Sequence, residues 1–248
     1  MKQKNKKENN LLFEKYYETR GVFLEPEDEV KRKWFSFYVD TVYSSYLSEI
    51  TKKGNILDIG CSRGFLAHAL YEKGFKNISG VDLSSHDIKK AQHLFPEASF
   101  YCENAFSFLE KNKNKFDCII LKAVIEHIDK KKVPEFLKLI KESLRAGGTV
   151  LIDVYNANWF LATHERYMDF THESGFTRES LRQVMSLYFK DISVSPIASP
   201  LNYQMGRIEK WKYQISRKVI QTLFEWAEPE MRGTPFTERI LIAKGTAT

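Results

Sequence analysis

Two groups of residues in this chain stand at spacings that chemistry uses. Asp58-x-Gly60-x-x-x-Gly64 lies between the apolar string Asn55 to Ile59 and the helical string Phe65 to Lys73, which places it on a strand-to-helix turn. At such a turn glycine lets the backbone approach a ligand, while the helix amino end offers unpaired N–H groups and partial positive charge. Asp82 lies 22 residues beyond Gly60, at the end of the next apolar string. That interval and that carboxylate suit a hydrogen-bonded ribose. The second group holds two histidines. His127 follows the apolar string Phe116 to Leu121, and His172 lies in the polar string Arg166-Tyr167-Met168-Asp169-Phe170-Thr171-His172-Glu173. Imidazole, with an ordinary pKa near ~6.5, can take the proton that a hydroxyl must lose as it attacks a carbon.

The nucleotide can be argued from what the glycine turn lacks. A pyrophosphate loop reads G-x-G-x-x-G, whereas here Ser62 stands at the middle glycine and Asp58 two residues before Gly60. A carboxylate repels a pyrophosphate but accepts readily from an ammonium group. The amino-acid end of S-adenosylmethionine fits better.

Residues 55–127 resemble the core of the class I S-adenosylmethionine-dependent methyltransferases, whose first strand and loop read roughly hhDhGCGxG; here the string is Ile56-Leu57-Asp58-Ile59-Gly60-Cys61-Ser62-Arg63-Gly64. The resemblance implies a Rossmann-like α/β fold, a seven-stranded mostly parallel sheet with helices on both faces. It also implies that Asp58, Gly60, Cys61, Ser62 and Gly64 surround the cofactor, that Asp82 holds its ribose and that Leu83 packs on the adenine. Asn104-Ala105 stands in the place of the family's Asp-Ala pair, and the Asn104 side-chain oxygen can still accept from the adenine amino group. The string Lys122-Ala123-Val124-Ile125-Glu126-His127 resembles the segment that lines the methyl-transfer centre. Lys122 counts among the cofactor residues, as does Tyr17, which with Tyr16 and Arg20 lies in a segment that by resemblance covers the cofactor.

The Arg166 to Glu173 string, followed by Gly175-Phe176-Thr177, resembles a subset of these methyltransferases associated with bacterial capsule and O-antigen polysaccharide assembly; with it the likeness covers residues 50–195. The candidate catalytic residues are His172 and His127, the latter alternatively organising its loop with Glu126, and the candidate acceptor-binding residues are Arg166, Asp169 and Glu173. Arg166 can grip a phosphate or carboxylate with its planar fork, and the two carboxylates can orient His172 or accept sugar hydroxyls. An internal ion pair of Arg166 with Asp169 or Glu173 is the alternative. No metal is expected, because three ligands at a recognised spacing cannot be named.

Positioning these groups requires alternating strands and helices. Strands are expected at Asn55–Ile59, Asn77–Asp82, Ala98–Cys102, Phe116–Leu121 and Thr149–Tyr155, with helices at Phe65–Lys73, His86–Leu94, Ala105–Lys111 and Val133–Leu144, the last stopped by Ala146-Gly147-Gly148. This is a run of βαβ units, and open parallel sheets place their chemistry beyond the carboxyl ends of the strands. The remainder reads as a helix at Thr177–Phe189, a strand at Asp191–Ala198, a long amphipathic helix at Gly206–Trp226 and a closing strand at Arg239–Lys244. In the long helix, Trp211, Ile215, Val219 and Trp226 share one face, expected against the sheet or against a second copy of the chain, which would make a homodimer. The expected organisation is a flexible tail over 1–10, a helical lid over 11–52, and a methyltransferase domain over 53–248 with substrate-side insertions near 156–180 and 200–236.

The 248 residues, 43% hydrophobic and 14% aromatic, suffice for a core without staples and argue against disorder. Half of the +6 net charge comes from Lys2, Lys4, Lys6 and Lys7 with Glu8, so the body carries no basic stripe. No Asn-Pro-Pro-Tyr-like string follows the fourth strand. Nucleic acid is therefore not an expected partner, and no apolar run is long enough to insert in a membrane. Cys61, Cys102 and Cys118 form no CxxC pair and read as reduced core thiols, which with the polar start points to the cytoplasm. The expected activity is methylation of an oxygen on a small acceptor: a sugar, sugar nucleotide or phosphate-bearing precursor of a surface polysaccharide. The alternatives are a quinone precursor or other small molecule, a nucleic acid, and a non-catalytic cofactor-binding regulator.

Overall fold

The computed structural model describes residues 28–197 and 205–248. Tyr16, Tyr17, Arg20 and the tail lie outside the described residues. Helix α1 (Asp28–Tyr38) passes through a π-turn (Val39–Tyr43) into the short α2 (Ser44–Leu47). Then come β1 (Asn55–Ile59), α3 (Phe65–Glu72), β2 (Asn77–Asp82), α4 (Ser85–Leu94), β3 (Ser99–Cys102), α5 (Ala105–Lys111) and β4 (Phe116–Lys122). The chain continues through a 3-10 turn (Ile125–His127), α6 (Val133–Ser143), β5 (Leu144–Tyr155), α7 (Ala162–Tyr167), α8 (Arg178–Met185), β6 (Phe189–Ile197), α9 (Arg207–Ala227) and β7 (Ile240–Ala247).

The seven strands form one sheet in the order β3-β2-β1-β4-β5-β7-β6. The first five are parallel, and β7 runs antiparallel between β5 and β6. This is the Rossmann-like class I methyltransferase sheet, and the strand order reverses at β1/β4, where such sheets open a crevice. The central strands are nearly continuous in apolar residues because helices cover both faces. One face buries Leu57, Ile119, Phe136 and Ile152; the other buries Ile56, Leu66, Ile120 and Leu151.

Tyr38, Val39, Tyr43 and Leu47 belong to the second of these clusters, so the segment from α1 to α2 packs directly on the sheet. Tyr38 and Tyr43 also reach its interior with their hydroxyls. Both donate to Asp153 Oδ2 on β5, Tyr43 across 3.0 Å.

Several boundaries and faces differ from expectation. The sixth helix ends at Ser143, and β5 begins at once with Leu144 paired to Phe116. The Gly147 turn, at φ +75°, is an irregularity within β5, not a separator before it. Helix α8 is shorter than Thr177–Phe189, because β6 already claims Phe189. Thr177 caps it by accepting from the Ser180 N–H, as a hydroxyl at that position should. Trp211, Ile215, Val219 and Trp226 do share a face of α9, but they stay exposed instead of covering the sheet, with Trp226 at 72%. The contacts of α9 run through its opposite side, where Phe224 stacks on Phe236 and Arg217 pairs with Glu238. Of the three thiols, Cys61 and Cys118 are buried and Cys102, expected in the core, is exposed at the end of β3. No described helix is long and apolar enough to cross a membrane.

Candidate functional site

At the carboxyl end of β1 the chain turns sharply. Gly60 and Gly64 take φ +73° and +79°, and Ser62 between them takes +48°. A Cβ on Gly60 would stand 2.4 Å from Val124 Cγ2, and one on Gly64 would stand 2.6 Å from Phe100 Cζ. Both positions thus need glycine for conformation and for space. Ser62 accepts the left-handed conformation that the family's common glycine takes without strain.

The turn is tied to β2. Gly60 N–H donates to Val81 O across 2.8 Å, and Ser62 N–H donates to Asp82 Oδ2 across 2.9 Å. The other oxygen, Asp82 Oδ1, accepts the Ser84 N–H at 2.8 Å. Each carboxylate oxygen retains lone-pair capacity for a further donor. Leu83, next in the chain after Asp82, and Ala105, at the start of α5, are half-buried. Asn104 accepts from the Phe106 N–H at 2.9 Å, so it caps α5 with its side-chain oxygen.

Asp58 is 2% exposed, and its Oδ2 has no hydrogen-bond partner. Burial and the neighbouring Asp82 push its pKa up to about 8, with Lys122 acting in the opposite direction. A buried carboxylate oxygen without a donor is costly, and a cationic ligand relieves that cost. Lys122 itself is committed elsewhere. Its Nζ donates to Asp153 Oδ2 across 3.1 Å and lies 4.3 Å from the Tyr38 ring centroid. Lys122 thus links β4 to β5 and to α1. Asp153 was not singled out in the sequence, although an acid inside Val150-Leu151-Ile152-Asp153-Val154 is a visible break in an apolar strand.

The second half of the site joins the turn after β4 to the loop after α7. Glu126 O accepts the N–H groups of Glu173 and Ser174 at 2.8 and 3.0 Å, which brings His172 beside the 3-10 turn. The His127 and His172 rings lie 4.7 Å apart, with Tyr155 6.2 Å from His172. His172 is 8% exposed, and its Nδ1 donates to Glu165 O across 2.7 Å. That bond leaves the lone pair on Nε2. His127 Nδ1 lies 2.8 Å from Thr171 Oγ1, whose hydroxyl donates to Asp169 Oδ1 at 2.6 Å. Asp169, expected to orient His172 or accept sugar hydroxyls, is thus linked through Thr171 to His127.

Arg166 was expected to grip an anion or pair with Asp169 or Glu173. Its guanidinium instead donates to the backbone oxygens of His172 and Glu173, the latter across 3.0 Å, and so shapes the loop from within. Glu173 contributes its main chain and leaves its side chain exposed. Glu165 was not foreseen. Its carboxylate pairs with Arg239 at 2.6 Å, and the Arg239 guanidinium lies over Tyr155 and Trp159. Glu126 is 3% exposed, neither of its carboxylate oxygens has a hydrogen-bond partner, and burial pushes its pKa up to about 8. The adjacent pair Glu126-His127 was the only sequence signal for it.

Comparison with known proteins supports the reading of the fold. A structure of an S-adenosylmethionine-dependent methyltransferase from Archaeoglobus fulgidus covers 93% of this chain and 99% of its own at TM-score 0.67 and 20% identity. Phosphoethanolamine N-methyltransferase 2 of Haemonchus contortus, solved with S-adenosyl-L-methionine, covers 91% of this chain and 59% of its own at TM-score 0.60 and 16% identity. Among curated sequences, ubiquinone biosynthesis O-methyltransferase of Rickettsia canadensis is 28% identical over 122 residues, 48% of this chain and 50% of that protein. The corresponding protein of Coxiella burnetii strain RSA 493 is 29% identical over 130 residues, 49% of this chain and 53% of its own length. The chain thus spans about half the length of the curated relatives it matches. A family model described as a methyltransferase domain matches residues 31–188, which take in the glycine turn, Asp82, both histidines and the loop between them. The chain belongs to this methyltransferase-domain family.

Proposed function

We propose that the protein is an S-adenosylmethionine-dependent O-methyltransferase acting on a hydroxyl of a small acceptor. The observation that carries this reading is the buried, unpartnered oxygen of Asp58 beneath a glycine turn whose Gly60 has no room for a Cβ. Such a cradle fits the cationic amino-acid end of the cofactor, and Asp82 fits its ribose. When bound, the cofactor supplies an electrophilic methyl group on sulfur. The chain's part is to hold an acceptor oxygen in line with that carbon and to dispose of its proton. His172 and His127, 4.7 Å apart, are the groups suited to handle that proton and hold that oxygen.

A quinone precursor or comparable phenolic acceptor is favoured over a phosphate-bearing sugar precursor. Two observations support this choice. The curated relatives are named for ubiquinone biosynthesis, and the Arg166 fork expected to grip a phosphate is occupied by backbone oxygens. The test is mass spectrometry of products after incubation with methyl-labelled S-adenosylmethionine and separate panels of dihydroxybenzoates, sugar nucleotides and phosphosugars. Label on a phenolic oxygen is the expected result. Label confined to the sugar panel would replace the acceptor, and label on nitrogen or on nucleic acid would overturn the reaction class.

A further inference from the structure

Glu126, His127 and His172 each offer a ligand atom, and these three atoms lie within 4.8 Å of one another. The surrounding bonds prepare both rings for coordination. His172 Nδ1–H is spent on Glu165 O at 2.7 Å. His127 Nδ1 faces Thr171 Oγ1 at 2.8 Å, and because the Thr171 hydroxyl proton goes to Asp169, that oxygen can only accept from the ring. In His172 the available lone pair is therefore on Nε2, and the His127 ring is oriented by Thr171. A carbonyl, or a hydroxyl backed by a carboxylate, accepting from the other nitrogen is the usual support of a metal-bound histidine.

The third group points the same way independently. Glu126 is 3% exposed and no other described residue donates a hydrogen bond to its carboxyl oxygens, although it sits on a tightly held turn whose backbone oxygen anchors the loop bearing His172. Lys122, whose charge acts on Glu126 from a distance, is ion-paired to Asp153, and Arg239 is ion-paired to Glu165. A carboxylate kept bare and buried beside two oriented imidazoles lacks one partner, a cation.

We propose that Glu126, His127 and His172 bind a divalent first-row transition ion. Two imidazoles and one carboxylate suit zinc, cobalt, manganese or iron better than magnesium, which prefers an all-oxygen shell. Three protein ligands leave positions open for an oxygen of the acceptor. The inference rests on the proposed function for the identity of that oxygen, but the ion site stands without it. With the ion in place the imidazoles serve as ligands. The acceptor O–H bond then breaks with its electron pair left on oxygen and its proton passed to water, because the cation stabilises the alkoxide or phenoxide.

The test uses full-length protein treated with chelator and dialysed, then titrated with Co2+ and with Zn2+. The expected result is one saturable equivalent, visible for Co2+ as d–d absorption, with affinity reduced about tenfold or more in Glu126→Gln and in His172→Gln. X-ray absorption of the Zn2+-loaded wild type should show two imidazole ligands and no sulfur, a readout that does not depend on the variants folding. Absence of saturable binding by either ion, a sulfur ligand, or folded variants that bind like wild type would each overturn the proposal. Calorimetry with S-adenosylmethionine, run on the same ion-free protein, separates failure of the ion site from failure of the proposed function.

Discussion

The Ser62 N–H donates to Asp82 Oδ2 across 2.9 Å, so the carboxylate we propose for the ribose also fastens the glycine turn to the tip of β2. Ser84 takes the other oxygen, at 2.8 Å. Asp82 is thus held by donors on both sides while each oxygen keeps lone-pair capacity for a further donor, and the turn's left-handed residues are fastened to β2 before any ligand arrives. Such preorganisation lowers the ordering cost of binding.

Gly60→Ala should weaken S-adenosylmethionine binding by about tenfold or more, because the new Cβ would overlap Val124 Cγ2 at 2.4 Å in a φ +73° conformation. Calorimetry checks this. Adding Val124→Ala should restore part of the lost affinity by removing the overlap, while the backbone strain remains. An alanine at position 60 that binds as well as glycine would show that the turn does not approach the ligand.

Tyr38→Phe should cost about 1–3 kcal/mol of stability, since it removes one of the two phenol donors to the buried Asp153 Oδ2 and leaves Tyr43 and Lys122 on that oxygen. Urea denaturation measures it. An unchanged midpoint would mean that α1 is not anchored through this bond.

Without ligands, stability should fall as pH rises. Folded Asp58 keeps its proton up to about 8, against an ordinary value of 3.8. Between those values the unfolded chain has released a proton that the native chain still holds, so the unfolded state gains with each step upward. Below the lower value and above the upper one this contribution is flat. Glu126, also pushed up to about 8, acts with the same sign. Thermal unfolding from pH 5 to 9 should show the decline, and Asp58→Asn with Glu126→Gln should flatten it. A wild-type curve that rises through this range would contradict the burial of both acids uncompensated.

His172→Gln should lower turnover by about a hundredfold or more while leaving S-adenosylmethionine affinity within about twofold, because in the proposed function the ring serves the acceptor and not the cofactor. Single-turnover kinetics beside calorimetry separate the two. Wild-type turnover in this variant would remove His172 from the site.

The central sheet and the glycine turn were legible in the sequence because they rest on local rules. Continuous apolar strings mark buried parallel strands, and Gly60 and Gly64 punctuate the first of them. The acceptor half was legible only in part. His127 and His172 stood out as residue types, but their partners depend on which main-chain oxygens a folded loop presents, and no residue spacing encodes that. Arg166 illustrates the limit: its charge suggested an anion, and the fold spends it on two carbonyl oxygens. Glu126 was hidden for the complementary reason. Its neighbours in the chain are ordinary, and its isolation arises only when the loop carrying His172 closes over it. The exposed face of α9 shows that helical spacing reports a shared side without saying what covers it.

The most direct measurement is isothermal titration of S-adenosylmethionine into the wild-type protein and into Asp82→Ala, with far-ultraviolet circular dichroism of both. Saturable binding at one equivalent, weakened by about tenfold or more in a folded Asp82→Ala, is the predicted result. No binding heat in the folded wild type, or equal affinity in both proteins, would contradict the assignment of the Asp58 turn and Asp82 as the cofactor's cradle.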